Sequence, residues 1–389
     1  MFSSTKTGTV VIPQSLANVV IIPVVTIAGS TTYLILISRS GSVLARIAFP
    51  SSISNGAVTY HRYGQFLYVI PSGALSIFKF DLSSLTASTI SAPYDHRATS
   101  WVRYSATQLI RVGIPDSTYK VLDMTTGNIT STSYTAASTT GWTGSVGITG
   151  FYDKTVGGLT NFGNRLYWEG ATGVSFNGEV NVASISGGAL GTRTALVTNI
   201  SNYSRSWGAI GNSSTAMVTN SWGMYKVSNA SNSAALWNLA SNNITYNSNS
   251  YGQNNDGQSP LTASCLTSNL RMYQSFGWYN NSTSTYQFVL GTYDFSQNTG
   301  TQTPTFVLAF PVKTGNYSLQ TTTCVQVSSD GKVAVLYQDP SSNYIFKLAT
   351  ISGSTVISTV TVDVGSAYSS GVYEFCSTPI SELGIYDAT

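Results

Sequence analysis

A chain of 389 residues in which only 8% are charged, with 18 basic and 15 acidic side chains and a net charge of +3, has an outer surface that is polar but mostly uncharged. Hydrophobic residues at 42% and aromatics at 12% exclude a disordered chain, and the absence of a Lys/Arg cluster removes the basis for nucleic-acid binding. Membrane insertion is not expected either, because the most apolar strip, Val10 to Gly29, is interrupted by Pro13, Gln14, Asn18 and Pro23 and reads as a pair of strands. Lys6 before it and Ala28-Gly29-Ser30 after it mimic a secretory signal, but the expectation is that this strip is retained.

Beyond the extended strip at Thr9 to Ile27, the chain reads as a series of β-hairpins. The first pairs Tyr33 to Ile37 with Val43 to Phe49 across Ser38-Arg39-Ser40-Gly41, and the second pairs Gln65 to Ile70 with Leu75 to Phe80, closing on Asp81. The third is the clearest: Gln108 to Ile114, the turn Pro115-Asp116-Ser117, Thr118 to Met124, then Thr125-Thr126-Gly127-Asn128, where Gly127 can take a positive φ. Its lead-in repeats too, since Arg62-Tyr63 and Arg103-Tyr104 close the strands before the second and third hairpins.

The fourth hairpin joins Arg165 to Trp168 with Glu179 to Ile185. In the fifth, Thr215 to Thr219 has two candidate partners, Gly223 to Val227 and Ala234 to Leu239. The sixth is Arg271 to Trp278 with Thr285 to Tyr293, closing on Asp294, and the seventh is Val333 to Tyr337 with Tyr344 to Ile351. Seven hairpins at a spacing of roughly 35–55 residues have the period of propeller blades. The expected fold is therefore all-β, one β-propeller domain over 1–389, with seven blades and eight as the alternative. Surplus strands at both ends suggest a ring closed by pairing N- and C-terminal strands.

Cys265, Cys324 and Cys376 each lie in a short extended run, the first two just ahead of a hairpin, and are read as reduced, buried residues of innermost strands. The Ser329-Asp330-Gly331-Lys332 turn before an apolar strand, and the strand ending Val121-Leu122-Asp123-Met124-Thr125-Thr126-Gly127-Asn128, resemble elements of YVTN and WD40-like propeller repeats. WD dipeptides are absent. The resemblance implies a fold and no particular activity.

No catalytic, metal or cofactor site is expected. His61 and His96, the two histidines, lie at matching positions before the second and third hairpins and read as loop residues of the repeat; no spaced Cys/His set accompanies them. Asp81, Asp123 and Asp294 end strands and Asp330 and Asp339 sit in turns, where a carboxylate satisfies backbone N–H groups. A two-carboxylate site could draw on Asp153, Glu169, Glu179 or Glu374, but no local motif selects a pair. Asn-x-Ser/Thr sequons, among them Asn128, Asn199, Asn212, Asn243 and Asn316, are scarcely more frequent than chance allows at this Asn, Ser and Thr content.

The least regular stretch is a long polar loop insertion at 241–260. Its tyrosines and amides, Tyr246, Asn247, Tyr251, Asn254 and Asn255, with Trp222 and Trp237 nearby, are the candidate binding residues. A surface poor in Lys and Glu, on a chain without a convincing signal, fits a protein assembled in a host cytoplasm and exposed on a particle. The expectation is a non-enzymatic structural or attachment protein on the virion surface of a virus or phage. Its partners would be other virion proteins, copies of itself, or a host-surface glycan or receptor. The alternative is a secreted, extracellular propeller that binds or hydrolyses carbohydrate.

Overall fold

The computed structural model describes residues 16, 20–53, 58–71, 75–92, 101–103, 107–112, 118–133, 150–154, 162–172, 177–186, 189–190, 194–200, 206–211, 215–220, 223–228, 233–236, 243–252, 264–267, 271–280, 285–294, 304–311, 313–314, 323–328, 330–339, 341–342 and 344–368. Among them no α-helix occurs, and no helix is long and apolar enough to cross a membrane. The strands fall into seven antiparallel sheets in chain order.

Sheet one is Ile22–Ala28, Thr31–Ile37 and Val43–Ala48. Sheet two is Val58–Tyr63, Phe66–Pro71, Ser76–Asp81 and Thr86–Ser91, and sheet three is Trp101–Arg103, Gln108–Val112, Thr118–Asp123 and Ile129–Ser133. Sheet four runs Gly150–Lys154, Phe162–Thr172 and Asn177–Ser186, with Thr194–Ile200 and the short Ala189–Leu190 both on its third strand. Sheet five is Ser206–Gly211, Thr215–Asn220, Gly223–Ser228 and Ser233–Leu236. Sheet six is built on Ser264–Leu266, Arg271–Asn280, Thr285–Asp294 and Thr305–Ala309, and sheet seven on Thr323–Gln326, Val333–Gln338, Ile345–Ser352 and Thr355–Asp363.

Each of the seven hairpins expected from sequence is the second and third strand of one sheet. The ambiguous fifth pairs Thr215–Asn220 with Gly223–Ser228, because a two-residue turn closes it and leaves Ser233–Leu236 as the fourth strand. Cys265 and Cys324 lie in first strands, and Cys324 is buried and reduced. Cys376 and the terminal strands expected to pair lie outside the described residues.

Burial falls from the first strand to the fourth. Val333–Gln338 is buried at every position, whereas Thr86–Ser91 has no buried residue and Thr355–Asp363 only Val362. A strand buried on both faces needs a neighbouring sheet on each side. The first strands supply the inner contacts: Trp101–Arg103 touches Gly150–Lys154, which touches Ser206–Gly211, then Ser264–Leu266, then Thr323–Gln326, and this last strand touches Ile22–Ala28. The architecture is an all-β fold of the propeller class.

Packing between sheets is apolar inside and hydrogen-bonded at the turns. One cluster joins sheets seven, one and two, with Leu336, Leu348 and Val362 against Val24, Leu34 and Leu36, and these against Val58, Leu67 and Phe80. Phe49 meets Phe78 and Phe80 edge-on, both at 4.9 Å. Across the junction of the first and last sheets, Arg46 donates from Nε and Nη2 to the carbonyl of Val364 at 3.2 and 3.0 Å, and its guanidinium lies 5.1 Å from the Tyr368 ring. At the same junction a Cβ on Gly41 would stand 2.7 Å from Val360 Cγ2, and the φ of +85° at Gly41 excludes most other residues.

A tyrosine on the second strand ties two sheets to the sheet that follows. Tyr68 donates its hydroxyl to the carbonyl of Met124 in sheet three, and Tyr273 donates to Gly353 in sheet seven at 2.7 Å. Burial pushes the Tyr68 phenol well above its ordinary range, aided by the charge of Asp123 and by Tyr63, so it stays a donor at every physiological pH. Each Tyr→Phe change removes one such bond without a cavity. Tyr68→Phe and Tyr273→Phe are each expected to lower the unfolding free energy by about 1 kcal/mol in urea titrations, with unchanged m-value.

Candidate functional site

The turn carboxylates are structural, and the structure shows why. Asp81 Oδ1 accepts from the N–H of Ser83 at 2.8 Å and of Ser84 at 3.3 Å, and from the Ser83 hydroxyl at 2.6 Å. Asp123 repeats the arrangement with Thr125 N–H at 2.8 Å, Thr126 N–H at 3.3 Å and the Thr125 hydroxyl at 2.5 Å, and Asp339 repeats it with Ser341. The common sequence is Asp-x-Ser/Thr-Ser/Thr. Where Gly127 closes the turn at φ +82°, sheet two places Leu85 at φ +56°, a strained position for a bulky residue.

These bonds stabilise ionised carboxylates. The Thr125 hydroxyl, opposed by slight burial and aided by the Thr125 and Thr126 N–H groups, holds Asp123 below the usual carboxylate range. For Asp81 burial works upward, but Ser83, Ser84 and Gln65 outweigh it. Asp330 is drawn down to about 2 by Lys332 and Ser328. A carboxylate with a depressed folded pKa contributes stability above its unfolded pKa and loses it as pH falls through the folded value. Asp123→Asn is therefore expected to flatten the fall in stability below about pH 4, measured as urea midpoints across pH.

His61 is a buried residue of Val58–Tyr63, opposite Tyr68, and not the loop residue expected; His96 lies outside the described residues. Its neighbour Arg62 is also buried. Desolvation lowers the Arg62 pKa to about 10, and the guanidinium donates to the carbonyls of Gly64 at 3.2 Å and Leu16 at 3.0 Å. Leu16 in turn donates to Leu82, so this arginine pins the N-terminal strip to sheet two. Glu169 and Glu179 pair with Val180 and Gly170 in sheet four. Among the described residues no three His, Cys, Asp or Glu side chains group as metal ligands.

The polar insertion contains a hairpin where a loop was expected. Asn243–Tyr246 pairs with Asn249–Gly252, and the tip, Asn247 and Ser248, has φ of 48° and 63°. Two consecutive positive φ values are the signature of a tight primed turn. The hairpin joins sheet six through one pair, Gly252 with Gly277, then crosses the sheet, since Tyr246 stacks on Phe306 of the fourth strand at 4.2 Å and 10°. Tyr246 is half-buried packing, while Asn247 is exposed at the tip. Tyr251 lies in the returning strand. Trp222, Trp237, Asn254 and Asn255 fall outside the described residues.

A feature missed from sequence is the character of the outer strands. The fourth strands of sheets two to seven read TASTIS, ITSTS, TALVTNI, SAAL, TFVLA and TVISTVTVD, and carry a single charged residue, Asp363, and no proline. Edge strands are ordinarily guarded by Lys, Pro or inward charges. The nearest lysines are tied down one strand inward: Lys120 Nζ donates to Ser131 at 2.9 Å, and Lys347 Nζ donates to Thr361 at 2.8 Å. The signal was present, as an aromatic-Lys-apolar step at Phe78-Lys79-Phe80, Tyr119-Lys120-Val121, Tyr225-Lys226-Val227 and Phe346-Lys347-Leu348. Chemically, this rim offers hydroxyls and unguarded backbone edges.

No protein-family model matches the chain, and no curated protein does. Among solved structures it is similar to the β-propeller domain of Cps50 (Swd1) from Myceliophteria thermophila, at 10% identity over 79% of this chain and 87% of that one, TM-score 0.44. It is also similar to the dihydro-heme d1 dehydrogenase NirN, at 11% identity over 90% and 65%, TM-score 0.47. A third is the calcium-binding protein regucalcin from Agrobacterium tumefaciens, at 12% identity over 72% and 81%, TM-score 0.41. The expectation of a non-enzymatic protein is withdrawn, because a dehydrogenase stands among these structures and a missing motif is weak ground for excluding catalysis.

Ser248 at the hairpin tip gives a local test. Ser248→Gly relieves left-handed strain of about 1–2 kcal/mol, less about 0.4–1 kcal/mol of glycine's unfolded-state entropy. Hydrogen exchange at Tyr246 and Asn249 is expected to slow by roughly twofold to fivefold.

Proposed function

We propose that the seven sheets close into a seven-bladed ring, and that the protein is an assembly and attachment component at the surface of a virus or phage particle. The inner-strand contacts and the core shared by sheets seven, one and two support the ring. In this reading the ring is a rigid carrier and its rim is the working surface. The rim meets other particle proteins, copies of this chain, or a host-surface glycan or receptor.

The observation that carries the reading is the near absence of charge from the fourth strands of six sheets. Such edges are a liability for a protein that must stay dispersed among cellular proteins, and an asset where contact is made by shape, hydroxyls and backbone hydrogen bonds. Held in a symmetric array, many weak rim contacts add through effective concentration.

Particles purified by density gradient from the source that encodes the chain supply the test. The protein is expected to co-sediment with them and to be labelled by a membrane-impermeant surface reagent. Its recovery only from particle-free fractions contradicts the assignment.

A further inference from the structure

Among the outer strands, Thr355–Asp363 is the longest, and it differs from the others in a second way. Of the described residues, only Leu75 and Ile357 are large, apolar and exposed, and Ile357 lies on this strand with about half its surface in water, 51%. A bulge between Val356 and Ser358 sets Ile357 outside the ladder, and the regular pairing with the third strand then holds from Ser358 to Asp363. Among the described residues the other edge of this strand has no partner strand.

We propose that this edge pairs with the same edge of a second copy of the chain, antiparallel about a two-fold axis between Val360 and Thr361. The proposal rests on the reading of the rim as a contact surface and names its partner. An isologous contact requires a self-complementary patch, and this strand provides one. The two-fold sets Ser358 against Asp363, Thr359 against Val362, and Val360 against Thr361. No like charges oppose, the one carboxylate meets a hydroxyl, and the remaining pairs are β-branched, which suits cross-strand packing. Lys347, held by Thr361 at 2.8 Å and Asp339 at 3.5 Å, lies one strand in and its charge does not stand at the seam. The exposed Ile357 side chains flank the pairing on both sides and gain cover from it.

The contact is small against the roughly 800 Å² per partner of a stable complex, so the expected dimer is weak, with a Kd on the order of 10–100 µM. Sedimentation velocity of the full chain between about 1 and 300 µM tests it. Wild type is expected to shift from monomer to dimer, and Ile357→Lys with Thr359→Lys to raise the Kd at least tenfold. Thr89→Lys, on the outer strand of sheet two, is expected to leave the Kd unchanged. Hydrogen exchange gives an independent readout that needs no variant: amides in Ser358–Asp363 are expected to gain protection as concentration rises. A chain that stays monomeric throughout, or a folded lysine variant that dimerises like wild type, overturns the proposal. Either result leaves co-sedimentation with particles standing as a separate question, so failure of the pairing is distinguishable from failure of the assignment.

Discussion

The structure depends on strands that are buried on both faces. Val333–Gln338 has no exposed residue, and in sheet two Val69 and Ile70 point into different clusters, one shared with sheet one and the other with sheet three. A sheet of that kind is incomplete alone. It is stable only with a neighbour on each side, so a linear row of such sheets leaves two unsatisfied ends. The first and last sheets satisfy one another: Val362 and Val364 share a core with Leu34 and Leu36, and Arg46 reaches the Val364 carbonyl across 318 positions of sequence. At about 25 cal/mol per Å² of apolar surface, that shared core outweighs the one or two hydrogen bonds at its margin.

Much of this was legible in the sequence because turns are written locally. Asp81, Asp123 and Asp339 precede Ser or Thr at fixed offsets, Gly41 and Gly127 occupy positive φ, and β-branched runs flank them. The seven central hairpins and the first-strand position of two cysteines followed from those signals. Long-range relations were not legible. Nothing near Tyr246 indicates that Phe306, sixty residues on, will stack against it, so a hairpin folded over sheet six reads as a polar loop. His61 was misplaced for a similar reason, since burial comes from sheets packed on either side and not from Tyr60-His61-Arg62 itself.

The candidate site shows the same division. Residue types rich in amides and rings drew attention to the insertion, where Tyr246 proves to be packing. The more informative signal was an absence, the lack of charge on the fourth strands, and an absence becomes visible only when strand order identifies which segments are edges. The lysines are present but lie one strand inward, neutralised by Ser131 and Thr361. Function and stability are thus separated radially: apolar inner strands hold the sheets together, and hydroxyl-rich outer strands face whatever the protein meets.

Docking of the last sheet on the first is the contact most directly open to measurement. A Cβ at position 41 would lie 3.6 Å from the Cβ of Val360, within the span of a disulfide. The double variant Gly41→Cys with Val360→Cys, oxidised in the folded state and digested under non-reducing conditions, is expected to yield a peptide pair that joins the two positions. Recovery of the two cysteines only as free thiols, from protein with native circular dichroism, would contradict the account.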